Sequence, residues 1–346
     1  MKPRHGLVIG KFYPPHAGHE LLVRTAASLC ERVSVVVMAA STEHLPLAQR
    51  VGWLREIHAG DANVTVTGIV DDVVIDYQDD AIWRAHVELM REATRELTTE
   101  PIDCVFTSEA YGPELGRRLN ARHVAVDPNR ELVPISGSAL RANPRANWEF
   151  LAPCVRRDLT LRVILVGAES TGKTTLARRL ATGAPWVAEY GREYTLYKLA
   201  RARGSAQLQA QPAPGMEQLV WTSDDFVKIA AEQNRREDAA AVSGGGVLIC
   251  DTDAFATGIW HARYCGQYSK EVDALAPPLA RRLYLLTHPD DVPFTQDGIR
   301  DGETIRSWMT EQFVTKLSAA GYAWHWLRGA ARLERAFALI ERTQSG

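Results

Sequence analysis

Gly167-Ala168-Glu169-Ser170-Thr171-Gly172-Lys173-Thr174-Thr175 decides how the second half of this chain is read. Its first eight residues fit GxxxxGK[ST] at every fixed position. An apolar run at 161–166 precedes them, and a helix-like segment at 175–181 follows. Strand, glycine loop and helix are the context in which this pattern binds phosphate. The near-continuous apolar run is what a strand buried on both faces needs. Glycines let backbone N–H groups turn inward around phosphate oxygens, and the helix presents its positive end to them. Gly167, Glu169, Ser170, Thr171, Gly172, Thr174 and Thr175 are therefore expected to bind ATP. Lys173 is expected to reach the β/γ-phosphates, and the Thr174 hydroxyl to ligate Mg²⁺.

A phosphoryl transfer needs more than this cradle. Val247-Leu-Ile-Cys-Asp251 is an apolar strand ending in an acid. Asp251 is expected to hold Mg²⁺, directly or through water. Asp253 is expected to point the same way or to bind substrate. Glu189 and Arg192 follow the apolar residues at 186–188, and ligands of open α/β sheets gather at the carboxyl ends of strands. Glu189 is assigned as the acid that accepts a hydroxyl proton, with Glu193 left open beside it; Arg192 is assigned to substrate. Arg300, in Asp297-Gly-Ile-Arg-Asp-Gly302, is expected to close over the transferring phosphate as a lid residue.

The first half carries a second pattern, Gly10-Lys-Phe-Tyr-Pro-Pro-His16-Ala-Gly-His19, between a strand-like run and a helix-like one. Two imidazoles at a helix amino end add donors to a site that the helix dipole already makes positive. Gly18 removes a side chain where a phosphate must approach closely. The arrangement suits adenylyl transfer, in which a substrate phosphate attacks the α-phosphorus of ATP and pyrophosphate leaves. His16, His19 and Lys11 are assigned to catalysis, and Gly10, Phe12 and Gly18 to ATP. Further on, Ile135-Ser136-Gly-Ser138-Ala-Leu-Arg141 places Ser136 and Ser138 at a helix start and Arg141 one turn along. The serines are expected to contact ATP phosphates, and Arg141 the β/γ-phosphates.

Around these motifs the chain alternates short β-branched runs with longer amphipathic stretches. The runs 7–12, 33–39, 64–70, 104–107 and 123–126 form one series; 161–166, 186–190, 247–250, 283–287 and 322–327 form another. Such alternation predicts βαβ units and a parallel sheet in each half, an α/β fold. The 346 residues fit two domains. A proline- and asparagine-bearing segment at 141–154 puts the boundary at 150–160, giving domains 1–155 and 156–346. Residues 206–215, biased to Gln, Ala and Pro, are expected to form a surface loop. The hydrophobic share is 46%, the charged share 24% and the formal net charge −2, so a nucleic-acid partner held through phosphates is not expected. No leader-like segment precedes the first strand, and no apolar run reaches the roughly 18 residues of a membrane helix. A cytoplasmic protein without a membrane partner is expected. The five cysteines are scattered and never paired as CxxC, so reduced thiols are expected and a zinc site is not.

GKFYPPHAGH (10–19) and ISGSALR (135–141) resemble the two signatures of the nucleotidyltransferase superfamily. The second is usually ISxTxxR; Ser138 keeps the hydroxyl of the usual threonine. The succession through Asn143-Pro144 and Trp148-Glu-Phe150 to the phosphate loop resembles the NadR family, which is bifunctional in nicotinamide-nucleotide adenylyltransferase and ribosylnicotinamide kinase. AEYGREY (188–194), SDDFVKIA (223–230), CDTDAFAT (250–257) and DGIRDG (297–302) extend the resemblance from residue 6 to beyond residue 300. It implies a Rossmann-like HxGH nucleotidyltransferase domain followed by a P-loop kinase domain. It also implies phosphorylation of the 5′-hydroxyl of nicotinamide riboside by the second domain. The first would then join nicotinamide mononucleotide (NMN) to AMP from ATP, giving NAD and pyrophosphate with Mg²⁺. On the same resemblance Trp83 is expected to stack on the nicotinamide and Arg50 to contact the mononucleotide phosphate. Some family members carry an amino-terminal helix-turn-helix repressor domain. The first strand here begins within ten residues of Met1, so a repressor role is not expected. Two competing readings are the same chemistries on other substrates, such as pantetheine phosphate with another small kinase, and an NAD or ATP sensor with decayed catalysis. A homo-oligomer is compatible with the sequence.

Overall fold

The computed structural model describes residues 2–209, 214–297, 300 and 302–345, and divides into two compact units, Met1–Arg156 and Arg157–Gly346.

In the first unit, β1 (His5–Gly10), β2 (Arg32–Ala39), β3 (Val64–Val70), β4 (Cys104–Thr107) and β5 (Arg122–Ala125) form one sheet of order β3-β2-β1-β4-β5. All its pairings are parallel. The helices are α1 (Ala17–Leu29), α2 (Leu47–Ile57), α3 (Asp80–Arg95), α4 (Gly112–Leu119) and α5 (Gly137–Ala142). Side chains alternate faces along a strand, and both faces are covered. Val8, Val35, Val37 and Phe106 pack with Leu22, Val23 and Ala26 of α1. Leu7, Ile9, Val36 and Val105 pack with Trp83, Val87 and Met90 of α3 and Leu115 of α4. Two covered faces are why β2 reads as an apolar run through Val35–Ala39 rather than an alternating one. The strand order reverses beside β1, so a crevice opens at the carboxyl ends of β1 and β4.

The division between the units falls within α6 (Pro153–Leu159). In the second unit, β6 (Leu161–Val166), β7 (Trp186–Val187), β8 (Val247–Asp251), β9 (Arg282–Thr287) and β10 (Trp324–Leu327) form a parallel sheet of order β10-β9-β6-β8-β7. Its helices are α7 (Lys173–Leu180), α8 (Tyr190–Leu208), α9 (Ser223–Ser243), α10 (Ala254–Cys265), α11 (Lys270–Asp273), α12 (Arg306–Ala320) and α13 (Arg332–Ser345). The consequential pairing is β6 with β8, in which Leu165 is opposite Asp251. It sets the acid at the end of β8 beside the loop that follows β6. Two expectations change. β7 ends at Val187, because Glu189 already occupies the N-cap position of α8 and Tyr190 opens it. The segment expected as a loop from residue 206 is helical through Leu208, and residues 210–213 lie outside the described residues.

No helix among the described residues is long and apolar enough to cross a membrane. All five cysteines are free; only Cys265 is not fully buried.

Candidate active sites

The carboxyl ends of β1 and β4 open onto a cavity of about 620 Å³ in the first unit. His16 is the N-cap of α1 in an extended conformation. Three residues on, His19 returns to the same side, and the two rings stack with centroids 3.7 Å apart. The His16 backbone N–H donates to His19 Nδ1 at 3.2 Å. Two stacked imidazolium cations would repel strongly here. Burial, Arg130 and Arg141 bring His16 down to about 4. Burial, His16 and Arg130 hold His19 well below the usual histidine range. Both rings are thus neutral near pH 7, and the buried His16 Nδ1 has no hydrogen-bond partner among the described residues. A Cβ at Gly18 would lie 3.2 Å from His16 Cε1 and Nδ1 and would press the ring aside by a few tenths of an ångström. Phe12 sits beneath His19, with ring centroids 4.8 Å apart.

The second motif meets the first across 128 residues. Arg141 donates to the Tyr13 carbonyl at 2.9 Å and to Ser138 Oγ at 3.3 Å. Ser136 Oγ accepts the Ala139 N–H at 3.1 Å and caps α5. Gly10, Lys11, Phe12, His16, Gly18, His19, Ser136, Ser138 and Arg141 all line the cavity. Lys11 is exposed and paired with Glu43 at 2.9 Å.

Sequence reasoning missed Arg130. The Asp127 carboxylate accepts the N–H groups of Glu131, Leu132 and Val133, at 2.8, 3.1 and 3.0 Å, and wraps the loop that carries Arg130 to the cavity wall. The Asp-Pro-Asn turn that makes this loop was its available signal.

The structure corrects the placement of Arg50. It is fully buried and does not line the cavity. Its guanidinium donates to the Leu45 and Lys11 carbonyls and to Glu43, and lies 4.3 Å over the Tyr13 ring. Facing inward from α2, it braces the Lys11–Tyr13 backbone instead of meeting a phosphate. Trp83 does reach the cavity, but its indole N–H is bound to the Tyr77 carbonyl at 3.0 Å and Arg118 covers the ring at 5.1 Å. The exposed ring on this wall is Tyr77, packed against Tyr111.

The second unit holds a cavity of about 480 Å³ around the phosphate loop. Gly167 has φ +142°, and a Cβ there would come within 2.5 Å of Thr287 Oγ1. Gly172, at φ +85°, starts α7. The buried Lys173 ammonium donates to the Gly167 and Ala168 carbonyls at 3.0 and 2.8 Å. Thr171 is locked to Thr287 at 2.6 Å. Thr174 Oγ1 donates to Asp251 Oδ2 at 2.5 Å, while the buried Asp251 Oδ1 has no hydrogen-bond partner among the described residues. Burial raises the Asp251 carboxyl against the pull of Lys173. A hydroxyl and an orphaned carboxylate oxygen are hard donors that suit Mg²⁺. That ion commonly takes one or two carboxylates and draws its other ligands from phosphates and water. Among the described residues no group of three His, Cys, Asp or Glu gathers as a metal cage.

Glu189 and Glu193 separate cleanly. Glu193 is on the surface, bound by Arg236 at 2.7 and 3.1 Å. Glu189 lines the cavity, and its carboxylate makes no hydrogen bond or ion pair among the described residues. Burial raises it to about 7, helped by Asp251 and Glu169 and opposed by Lys173 and Arg192. Arg192 is bound to Asp297 at 2.7 Å, and Arg300 to the Thr295 carbonyl at 2.8 Å; both line the cavity. Gly298, Ile299 and Asp301 of the expected lid lie outside the described residues. Glu169 pairs with Arg263 at 3.3 Å and accepts the Gly302 N–H at 2.8 Å. Ser170 accepts the Thr295 N–H at 2.8 Å.

Asp253 needs correction. It is fully buried and absent from the cavity wall. It caps α10 through the Ala256 N–H at 3.0 Å, accepts the Tyr284 hydroxyl at 2.5 Å and faces Arg282 at 3.4 Å. Strand alternation does not apply to it, because β8 has ended and the chain is turning into the helix. Sequence reasoning also missed the aromatic wall of Trp221, Phe226, Trp260 and Tyr264. Trp221 and Tyr264 lie 5.3 Å apart at 33°. Their apolar spacing did not distinguish a cavity wall from a core.

The cytidylyltransferase-like family profile matches residues 7–143, and the AAA domain profile residues 162–335. The trifunctional NAD biosynthesis/regulator protein NadR of Escherichia coli K12 is 27% identical over 312 residues, 85% of this chain and 71% of that protein. NadR of Salmonella typhimurium LT2 is 26% identical over similar shares. A nicotinamide-nucleotide adenylyltransferase of Methanoculleus marisnigri is 25% identical over 158 residues, 43% of this chain and 84% of that enzyme. In fold the chain is similar to a NadR crystal structure in complex with NR, with a TM-score of 0.64 and 23% identity, covering 99% of this chain and 97% of that one. Through residues 162–335 the chain therefore belongs to the AAA domain family, and with a cytidylyltransferase-like domain ahead of it, it is a NadR homologue and a bifunctional transferase.

Proposed function

We propose that the two units catalyse successive steps of NAD biosynthesis and salvage: phosphorylation of nicotinamide riboside to NMN, then adenylyl transfer from ATP to NMN. One observation carries the reading. Each unit holds its own cavity at the carboxyl edge of its own sheet, and each cavity is lined by a full set of groups for one reaction. NadR relatives, and NadR structures in complex with NR and with NAD and AMP-PNP, support this choice of substrates.

In the second unit the phosphate loop and Lys173 hold the ATP phosphates. Thr174 and Asp251 would hold Mg²⁺, which would offset negative charge on the ATP phosphates. Glu189, uncommitted and raised to about 7, accepts the proton of the riboside 5′-hydroxyl. The hydroxyl oxygen bonds to the γ-phosphorus as the bond to the β-phosphate oxygen breaks, and ADP leaves. Arg192 and Arg300 face the developing charge. The aromatic wall offers ring faces to the cationic nicotinamide, a cation–π arrangement.

In the first unit the NMN phosphate oxygen attacks the α-phosphorus of ATP and pyrophosphate departs. No proton transfer is needed, so neutral imidazoles serve as hydrogen-bond donors. His16 and His19 stabilise the α-phosphate, and Arg141, with Ser136 and Ser138, holds the leaving phosphates. Arg130 and Lys11 add positive charge at the same wall. The free cysteines suit a reducing cytoplasm.

The test is two assays on the purified chain: ADP release with nicotinamide riboside and MgATP, and pyrophosphate release with NMN and MgATP. Turnover in both is expected. Turnover with neither substrate would overturn the proposal.

A further inference from the structure

Glu189 is the N-cap of α8, where an acceptor side chain commonly bends back onto N–H groups of the first turn. It makes no such bond. The turn is held from another helix. The N–H of Tyr190 belongs to the peptide that leaves Glu189, and it donates to Gln233 Oε1 at 3.0 Å. Gln233 lies on α9, is 1% exposed and lines the same cavity. Its Nε2 donates to Glu237 Oε1 at 3.3 Å, one turn along. These partners set the amide orientation, because the Tyr190 N–H can only donate and a carboxylate accepts.

Glu237 is fully buried and faces Arg282 of β9 at 3.3 Å and Arg162 of β6 at 3.7 Å. Asp253 adds a second buried carboxylate against Arg282. A buried ion cluster of this kind is weak evidence for a gain in stability, and none of its members lines the cavity. What it does hold is Gln233. A continuous set of contacts therefore runs from two central strands, through Glu237 and Gln233, to the peptide from which Glu189 projects.

We infer that Gln233 is a positioning residue for the phosphorylation step: by fixing the Glu189–Tyr190 peptide it keeps the Glu189 carboxylate turned into the cavity and off the amino end of α8. This rests on Glu189 being the proton acceptor. Methionine at 233 would keep the length of the side chain and lose the acceptor. The freed Tyr190 N–H would then take another partner, and the peptide would rotate. Misplacing a catalytic group by about 1 Å costs about 10²-fold in rate.

The experiment uses the full chain carrying Gln233→Met or Gln233→Glu, each alone and combined with Glu189→Gln. Riboside phosphorylation, adenylyl transfer and thermal melting are measured for each. Gln233→Met is expected to lower kcat for phosphorylation by about 10- to 10²-fold, leaving KM for riboside and ATP and adenylyl transfer unchanged, with a lower Tm from the two buried hydrogen bonds it removes. Gln233→Glu keeps an oxygen for the Tyr190 N–H but loses the donor to Glu237, so it should retain more turnover than Gln233→Met while melting lower than the parent. In the Glu189→Gln background, adding Gln233→Met should lower the residual turnover no further, because the two residues act as one unit.

A rise in riboside KM at constant kcat would make Gln233 a substrate-binding residue and overturn the inference. The same fold-loss in both backgrounds would overturn it too, as would equal losses of turnover in the Met and Glu variants. If Glu189→Gln alone keeps full turnover, the assignment of Glu189 falls, a result distinct from any outcome for Gln233→Met.

Discussion

Gly167→Ala tests how far phosphorylation depends on the shape of the phosphate loop. Gly167 has φ +142°, a region that side-chain-bearing residues rarely enter. A Cβ there would lie 2.5 Å from Thr287 Oγ1 and 2.9 Å from the Thr287 carbonyl oxygen. Neither can retreat. The carbonyl is backbone at the end of β9, and the hydroxyl is bonded to Thr171 at 2.6 Å and to the Val166 carbonyl at 3.1 Å. Conformational strain of about 1–3 kcal/mol adds to overpacking of about 1–3 kcal/mol. The loop must relieve about 2–6 kcal/mol by moving. Because Lys173 is bonded to the Gly167 carbonyl, the movement carries the ammonium with it. The kcat/KM for riboside phosphorylation should fall by about 10²-fold or more, with adenylyl transfer unchanged. Gly183→Ala is the control. Gly183 has φ +84° but nothing within 4 Å of a Cβ, so only strain of about 1–2 kcal/mol applies. It should lower Tm and leave the kinetic constants alone. The assays are ADP and pyrophosphate release, with melting curves on both variants. If Gly167→Ala phosphorylates with a kcat/KM within a factor of about two of the parent, the steric reasoning is refuted.

If His19 donates to the α-phosphate as proposed, His19→Ala should cost adenylyl transfer about 10²–10³-fold while phosphorylation persists; Lys173→Ala should do the reverse. A parallel loss of both activities in either stable variant would contradict two self-contained sites. Glu189 must be ionised to accept a proton, and its carboxyl is raised to about 7. The kcat for phosphorylation should therefore rise with pH through a limb above the ordinary carboxylate range. An acid limb near pH 4 would count against Glu189 as the acceptor. Arg300→Ala should lower kcat for phosphorylation more than it raises KM for the riboside, and a pure KM effect would demote Arg300 to a binding residue.

The motifs legible in the sequence are those whose geometry is made by a few consecutive residues. Gly167–Thr174 needs only its own backbone to fold a phosphate cradle. His16 and His19 need only one helical turn to share a side. The alternation of apolar runs with longer amphipathic stretches was likewise enough for two parallel sheets, because burial on both faces leaves a compositional mark on each strand.

Facing and distance were decided by the tertiary structure. Glu189 and Glu193 have the same chemistry on adjacent turns; only the packing of α8 against α9 sends one to the cavity and the other to Arg236. Arg50 and Asp253 looked like ligand contacts because of their neighbours in sequence. Packing turns both inward, where they brace a backbone and cap a helix. Thr174 finds Asp251 77 residues away because β6 pairs with β8 in one particular register. Gln233 carries no signal at all in a single sequence: a buried glutamine acquires a role only when another helix brings it an N–H to hold. The chemistry of a side chain is written in its residue type, but the direction it faces is a property of the elements packed around it.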